Sequence, residues 1–310
     1  MNDPKLHVVI PYFNHANAGV NRRNLELCLS HLLLNPDCLV VLVEGIWNRE
    51  AELPDFSGRI FRHLKFDLRS PIWVKENLIN LGIASLGDDW EAVAWIDKDI
   101  QFLKPDWAKE TLLKLQESDL LQPWSRALLL DGRYEVMDDF DKVTGRGFEQ
   151  FREKKEIKGG VSFCRQWLEE GGGGGGHPGF SWAISRRFYR KIGKIFDRCI
   201  VGGGDAVIPS HLDWSYYREY FQFFGQEYER YRESLRGVRL SVVGGTIIHL
   251  DHGELAKRKY RERYAVLRER DFEFPRDLSY APNGTLQLNN PGLESGIMDY
   301  FLNREEHLVP

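Results

Sequence analysis

Apolar and polar positions along the chain follow two kinds of pattern. Short stretches rich in apolar residues that read as strands occur at residues 6–11, 37–44, 60–66, 93–96, 120–124 and 240–249, the runs at 8–10, 38–43 and 93–96 being wholly apolar. Between them lie stretches whose apolar residues recur every three or four positions. The clearest spans 22–34, where Leu25, Leu29, Leu32 and Leu33 share one helical face. Residues 72–86 and 105–117 follow the same rule. Strand, helix, strand in succession implies parallel pairing through a right-handed crossover. Its repetition predicts an α/β fold, a mostly parallel sheet flanked by helices. Pro11 is expected to break the first strand.

Beyond residue 130 the pattern changes. Residues 131–166 carry no clear period, and 171–176 are six consecutive glycines with no side chains to pack. We treat 131–176 as an insertion over the acceptor side, ending in a flexible loop. Residues 177–185 then read as an aromatic strand, and 186–193 as a helix that stops at Gly193. Another helix is predicted over 213–236, with a core-facing stripe of Trp214, Tyr217, Phe221 and Phe224. The domain expectation is a unit over 1–252, followed over 253–310 by a helical C-terminal extension. That extension consists of a basic helix at 254–270 and a wrapping tail with a last short helix near 293–303.

Composition narrows the class. A hydrophobic content of 42% suffices for a sizeable core. Lys and Arg (42) nearly balance Asp and Glu (46), which removes any bulk signature of nucleic-acid or membrane binding. Cys28, Cys38, Cys164 and Cys199 lie scattered without metal-site spacing, as reduced thiols do. No apolar signal core follows MNDPKLH, and no apolar run reaches spanning length. The expected location is cytoplasmic, in a bacterial, phage or other viral setting.

The chemistry gathers where the apolar run at 93–96 ends in Asp97-Lys98-Asp99. In open α/β sheets, ligands bind beyond the carboxyl ends of the strands. Two carboxylates there offer hard oxygen ligands to a divalent cation that keeps open positions for phosphate. Glu44 stands at the tip of the second strand, placed for a nucleoside hydroxyl or for solvent. Arg69, Lys75 and Asn80 around the following helix are candidates to face a nucleotide. Val201-Gly202-Gly203-Gly204-Asp205 puts three glycines, which admit close backbone approach, before one acid. His249 and His252 close a late apolar strand. Neutral imidazole beside carboxylates suits Mn²⁺ better than Mg²⁺.

Three blocks carry a family resemblance: VVIPYFN, AWIDKD and HPGFSWAISRRFYRKIGKIFDRCIVGGGDAV. Together they resemble a GT-A fold glycosyltransferase of the family 2 kind. The last block is similar to the C-terminal motif of β-1,4-galactosyltransferases and polypeptide N-acetylgalactosaminyltransferases. The resemblance spans roughly residues 6–252. It implies that Asp97 and Asp99 form the DxD element, Asp99 being the more direct metal ligand, with His249 or its rival His252 completing the site. It also implies donor contacts from Pro11, Asn14, Gly179, Phe180, Trp182, Gly203 and Gly204. Asp205 is expected to be the catalytic base, with Asp213 in reserve because Ala206 and Val207 stand where relatives often carry further acids.

The expected activity is sugar transfer from a nucleotide-sugar, a UDP-sugar above all, to a hydroxyl acceptor with Mn²⁺ or Mg²⁺. The alternatives are a viral-type glycosyltransferase of modified DNA bases, a nucleotidyltransferase, and a non-catalytic sugar-nucleotide binder. A nucleotidyltransferase would need a basic residue in an early Gly-rich loop, and residues 11–19 lack one. DNA contact through the basic stretch at 257–270 is disfavoured by Glu262, Glu269 and Asp271 within or beside it.

Overall fold

The computed structural model describes residues 4–47, 49–88, 90–130, 159–171, 176–212, 222–251, 259–260 and 262–304. The elements run β1 (Leu6–Phe13), α1 (Gly19–Leu33), β2 (Cys38–Ile46), β3 (Arg62–Asp67), α2 (Lys75–Ala84) and β4 (Ala92–Ile96). Then follow β5 (Ile100–Phe102), α3 (Trp107–Glu117), β6 (Leu120–Gln122), β7 (Arg126–Leu129), β8 (Gly159–Val161) and α4 (Phe163–Glu170). After them come β9 (Ser181–Ser185), α5 (Arg186–Ile192), α6 (Val207–Leu212) and α7 (Gly225–Ser234). The chain closes with β10 (Leu240–Val242), β11 (Thr246–His249), α8 (Ala265–Glu269), β12 (Leu278–Tyr280), β13 (Leu286–Leu288) and α9 (Pro291–Leu302).

The protein is a mixed α/β fold with a mostly parallel central sheet. Seven strands lie in the order β10-β6-β9-β4-β1-β2-β3. Only β9 opposes its neighbours, pairing antiparallel with both β4 and β6. Side chains of β1 alternate between the two faces. Val9 joins α2 in one apolar cluster, while Val8 and Ile10 join α1 and α3 in the other. Both faces are therefore covered, which is why the central strands read as continuous apolar runs. A four-stranded sheet, β5-β11-β7-β8, adjoins this layer. Through β5 and β11 it brings residue 249 beside the end of β4.

Several boundaries differ from the sequence reading. β1 runs through Pro11 to Phe13. Its ladder with β4 ends at Val9, so Pro11 lacks a donor where only β2 remains as a neighbour. The aromatic strand begins at Ser181 rather than 177, because residues 177–180 form an irregular approach. Of the predicted basic helix, the described part is a turn and the five-residue α8. Lys259 has φ of 49°, a left-handed conformation that a helix does not continue through. Most of the predicted 131–176 insertion, residues 131–158 and 172–175, lies outside the described residues, as does the stripe at Trp214, Tyr217 and Phe221.

The C-terminal extension wraps back over the β3–α2 region. Asn77 donates to Gly284 O (3.1 Å) and accepts from Leu286 N (3.1 Å), and Ser70 Oγ accepts from Leu288 N (2.9 Å). Leu278, Leu286, Leu293 and Ile297 enter the same apolar cluster as α2. No helix among the described residues is long and apolar enough to cross a membrane.

Gly82 is where α2 meets the sheet. A Cβ there would lie 2.7 Å from Val9 Cγ1 and 2.8 Å from Val43 Cγ2. Overpacking of this kind costs roughly 1–3 kcal/mol, against a helix-propensity gain of at most about 1 kcal/mol. Gly82→Ala should therefore lower the urea midpoint, by a net of about 1–2 kcal/mol. An unchanged or raised midpoint would show that the two valines can yield.

Candidate active site

The site forms at the carboxyl edge of the central sheet. β4 delivers Asp97 one residue past its end, and Asp97 N donates to Phe180 O at 2.8 Å. The opposite polarity of β9 is what makes this contact, since it places the start of β9 beside the end of β4. Leu250 N donates to Asp99 O at 2.8 Å, which ties the end of β11 to the same turn.

Lys75 occupies the centre. Its ammonium lies 2.5 Å from Asp97 Oδ1 and 2.7 Å from Asp205 Oδ1, with its side chain only 7% exposed. Lysine is a poor choice for the first residue of a helix, where the backbone dipole presents positive charge. The two carboxylates offset that repulsion and the loss of hydration, and they hold the lysine firmly in its charged form. Glu76, the next residue, is also buried. One ammonium thus faces three carboxylates, so the cluster favours taking up protons. Burial raises Glu76 to about 8 and Asp97 to about 7, in each case against the pull of Lys75.

Asp99 and His249 form a second pair. His249 Nε2 lies 3.7 Å from Asp99 Oδ1, and both side chains are nearly buried. One carboxylate and one imidazole are a donor set suited to Mn²⁺, with further positions left for phosphate oxygens and water. Among the described residues, no group of three His, Cys, Asp or Glu side chains gathers as a metal site. Asp99 and His249 are the two side chains there that could serve as donors to a cation. Asp97 is taken by Lys75 instead, and His252 lies outside the described residues, as does Asp213.

The other expected donor contacts divide. Arg69 is exposed just past β3, on the same edge of the sheet. Gly179 adjoins Asp205, since a Cβ on it would lie 3.3 Å from Asp205 Oδ2. Phe180 is buried against His249, ring centroids 5.0 Å apart.

Five of the residues expected to contact the donor have partners inside the protein or lie buried in it. Glu44 is 1% exposed and accepts from Leu53 N (2.7 Å) and His63 Nε2 (3.1 Å), so one oxygen braces the loop after β2 and the other ties it to β3. Asn80 bonds both ways with Ile195, to its O at 2.8 Å and from its N at 2.9 Å. Asn14 turns back on its own loop, accepting from Ala18 N and donating to Ala18 O, both at 3.0 Å. Pro11 lies buried within β1. Trp182 is 1% exposed and donates to Pro178 O at 2.7 Å, and it lines a small cavity together with Glu76, Gly204 and Asp205.

The glycines before Asp205 are likewise explained by protein atoms. A Cβ on Gly203 (φ 93°) would lie 2.5 Å from Tyr264 Oη, and one on Gly204 would lie 2.2 Å from Glu76 Oε1. Close approach is required there, but the chain itself makes it. Glu76 was missed in the sequence because it reads as an ordinary first-turn helix acid. Gln122 was missed too. It is fully buried and fixes the approach to β9 by donating to His177 O (3.1 Å) and accepting from Cys164 N (2.9 Å). A glutamine closing an apolar strand was the available signal.

Neither a family model nor a curated protein matches this chain. Solved structures that resemble it at low identity include sugar transferases and a 4-diphosphocytidyl-2C-methyl-D-erythritol synthase from Anaerococcus prevotii DSM 20548, the last 11% identical with a TM-score of 0.36 over 79% of this chain and 90% of that one. One is S. aureus TarS (residues 1–349) in complex with UDP-GlcNAc, 14% identical, with a TM-score of 0.46 over 86% of this chain and 65% of that one. Another is a mutant Drosophila β1,4-galactosyltransferase 7 in complex with manganese, UDP-Gal and xylobiose, 11% identical, with a TM-score of 0.41 over 83% and 74%. A nucleotide-diphospho-sugar transferase from Desulfovibrio desulfuricans G20 is 11% identical, with a TM-score of 0.35 over 86% and 96%. The chain thus spans just under two thirds of the TarS fragment. Likenesses this loose assign no residue and no substrate here.

The crowded carboxylates set a pH dependence. Glu76 and Asp97 titrate in the folded chain near 8 and 7, against roughly 4 when unfolded. Their contribution is complete below the unfolded value and lost as pH rises through the folded ones. His15 and His177, both held near 4 by desolvation, and His31 and His211, lowered by burial, act oppositely, but most of their titration lies below about pH 7. In the presence of a chelator, stability should therefore fall by about 2 kcal/mol between roughly pH 6.5 and 8. Glu76→Gln should flatten the decline. Urea midpoints across that range are the measurement, and a wild-type profile that rises would remove this account.

Proposed function

We propose that the protein is a metal-dependent glycosyltransferase that moves a sugar from a nucleotide-sugar, of which a UDP-sugar is the first choice, to a hydroxyl acceptor. One observation carries the reading. Residues 75, 97 and 205 converge through contacts of 2.5 and 2.7 Å, beside the Asp99–His249 pair, at the sheet edge where α/β folds bind ligands. The resemblance of the sequence blocks to GT-A transferases supports the same reading. A divalent cation held by Asp99 and His249 would supply positive charge to the leaving diphosphate.

The chain's own groups do the rest. Asp205 takes the proton of the acceptor hydroxyl as its oxygen bonds to the anomeric carbon, while the bond from that carbon to the diphosphate oxygen breaks. Lys75 holds Asp205 in place and keeps positive charge between it and Asp97. Gln122, through the backbone of residues 177–179, fixes the segment whose Gly179 packs closely beside Asp205.

Nucleotide-sugars should raise the thermal midpoint when Mn²⁺ is present, by an amount that grows with ligand concentration. Asp99→Ala should abolish the Mn²⁺-dependent part of that shift and leave the fold intact. Asp205→Asn should keep the shift and lower transfer by about 10²–10⁴-fold. Full transfer by Asp205→Asn would reassign the base, and a shift indifferent to Mn²⁺ in the wild type would remove the metal from the proposal.

A further inference from the structure

The hairpin of β12 and β13 meets α2 through hydrogen bonds as well as apolar contact. Its turn is fixed from within: Ala281 N donates to Thr285 O (2.8 Å), Gly284 N donates to Ala281 O (2.9 Å), and Asn283 Oδ1 accepts from Thr285 Oγ1 (2.8 Å). Asn283 Nδ2 donates in turn to Asp67 O at the end of β3 (2.8 Å). The turn also presses on α2, because a Cβ on Gly284 (φ 84°) would lie 2.9 Å from Leu81 Cδ2. Along β13, the alternate residues Leu286 and Leu288 donate their N–H groups to side chains, those of Asn77 (3.1 Å) and Ser70 (2.9 Å). Asn77 is 2% exposed and uses both ends of its amide, since it also donates to Gly284 O at 3.1 Å.

Asn77 stands in the first turn of α2, two residues after Lys75. Local chemistry does little to hold that turn. Ser162, Ser185 and Asn290 cap α4, α5 and α9 with their own side chains. At α2 the capping position is Val74, which offers no side-chain hydrogen bond to the first N–H groups. The ammonium of Lys75 adds repulsion from the positive end of the helix dipole. Yet this turn sets the distances of the site, 2.5 Å to Asp97 and 2.7 Å to Asp205. Its anchors come from elsewhere in the chain. Trp73 N donates to Ile200 O (2.8 Å) just before the helix, and Asn77 grips the hairpin just inside it. An asparagine side chain presents a carbonyl and an N–H donor as a peptide unit does, so it meets the edge of β13 as backbone would.

We propose that Asn77 is a positioning residue for the transfer reaction, clamping the β12–β13 hairpin to the start of α2 so that the Lys75 ammonium stays between Asp97 and Asp205. The inference rests on the transfer reaction proposed above. Lys75 holds the base, so a shift of the helix start moves Asp205 relative to the acceptor hydroxyl. Misplacing a reacting group by about 1 Å can cost about 100-fold in rate. Asn77 touches no substrate, and its effect travels through the lysine. The signature is therefore a fall in kcat with little change in either KM.

The test uses the full-length protein with Mn²⁺, a series of UDP-sugars as donors, and methyl β-glycosides of xylose, galactose and N-acetylglucosamine as probe acceptors. Asn77→Leu keeps the volume and removes both hydrogen bonds. Ser70→Ala removes the neighbouring bond to β13 outside the helix, and so loosens the hairpin alone. Asn77→Leu should lower kcat about 10–100-fold and move each KM by less than about threefold, whereas Ser70→Ala should leave kcat at the wild-type value. The ¹⁵Nζ signal of Lys75, read without substrate, should move in Asn77→Leu and stay in place in Ser70→Ala. If Asn77→Leu does not fold, Asn77→Ser, whose hydroxyl is still an acceptor, should show the same pattern to a smaller degree. An unchanged kcat on substitution of Asn77, an equal fall in Ser70→Ala, or a Lys75 signal indifferent to Asn77 would each overturn the role of Asn77 while leaving glycosyl transfer standing. Failure of every donor and acceptor pair to react with the wild type would instead bring down the transfer reading, and this inference with it.

Discussion

The contact on which the site depends is the ammonium of Lys75 held between Asp97 and Asp205. Burying a charged lysine is costly, and its place at the start of a helix adds the repulsion of the backbone dipole. Nothing local favours it. Only the arrival of two carboxylates from distant parts of the chain makes the arrangement tenable, so fold and site are specified together. The same lysine binds three parts of the architecture into one object: the helix that packs across β1 and β2, the turn after β4, and the glycine turn before α6. A local rule broken by a compensated residue is the mark expected of a functional centre.

The balance of charge there is incomplete. Glu76 adds a third carboxylate around the one ammonium of Lys75, and it is pressed against Gly204 so closely that any side chain at that position would collide with it. The glycine turn and the helix start are therefore fitted to each other as a buried joint. Gly204 makes room for Glu76 and Gly203 for Tyr264, while Gly179 packs beside the second oxygen of Asp205.

Much of the fold was legible in the sequence. Apolar runs marked the central strands, since a strand covered on both faces needs no polar alternation, and the leucines of α1 marked its buried face. The carboxylates after β4 and the histidine that ends β11 were singled out by position, because strand ends are where a sheet exposes chemistry. What escaped notice depends on partners remote in the chain. Glu44 at a strand tip looks ready for a ligand until Leu53 and His63 take its oxygens. Asn80 is indistinguishable from a surface asparagine until the backbone at Ile195 folds onto it. The helix expected across 254–270 is interrupted at Lys259, where side-chain periodicity gave no hint of a left-handed residue.

The reversed direction of β9 was equally invisible, since an apolar run carries no arrow, and its effect reaches past the reaction centre. A strand that runs against its neighbours sends its two ends to opposite rims of the sheet. Its entry forms part of the reactive rim, and its exit leads at once into α5, whose Arg186 and Arg190 reach the exposed Asp88 on the far rim. That far rim is a natural place to tether the molecule to a solid support or fuse a reporter, leaving the working mouth unobstructed.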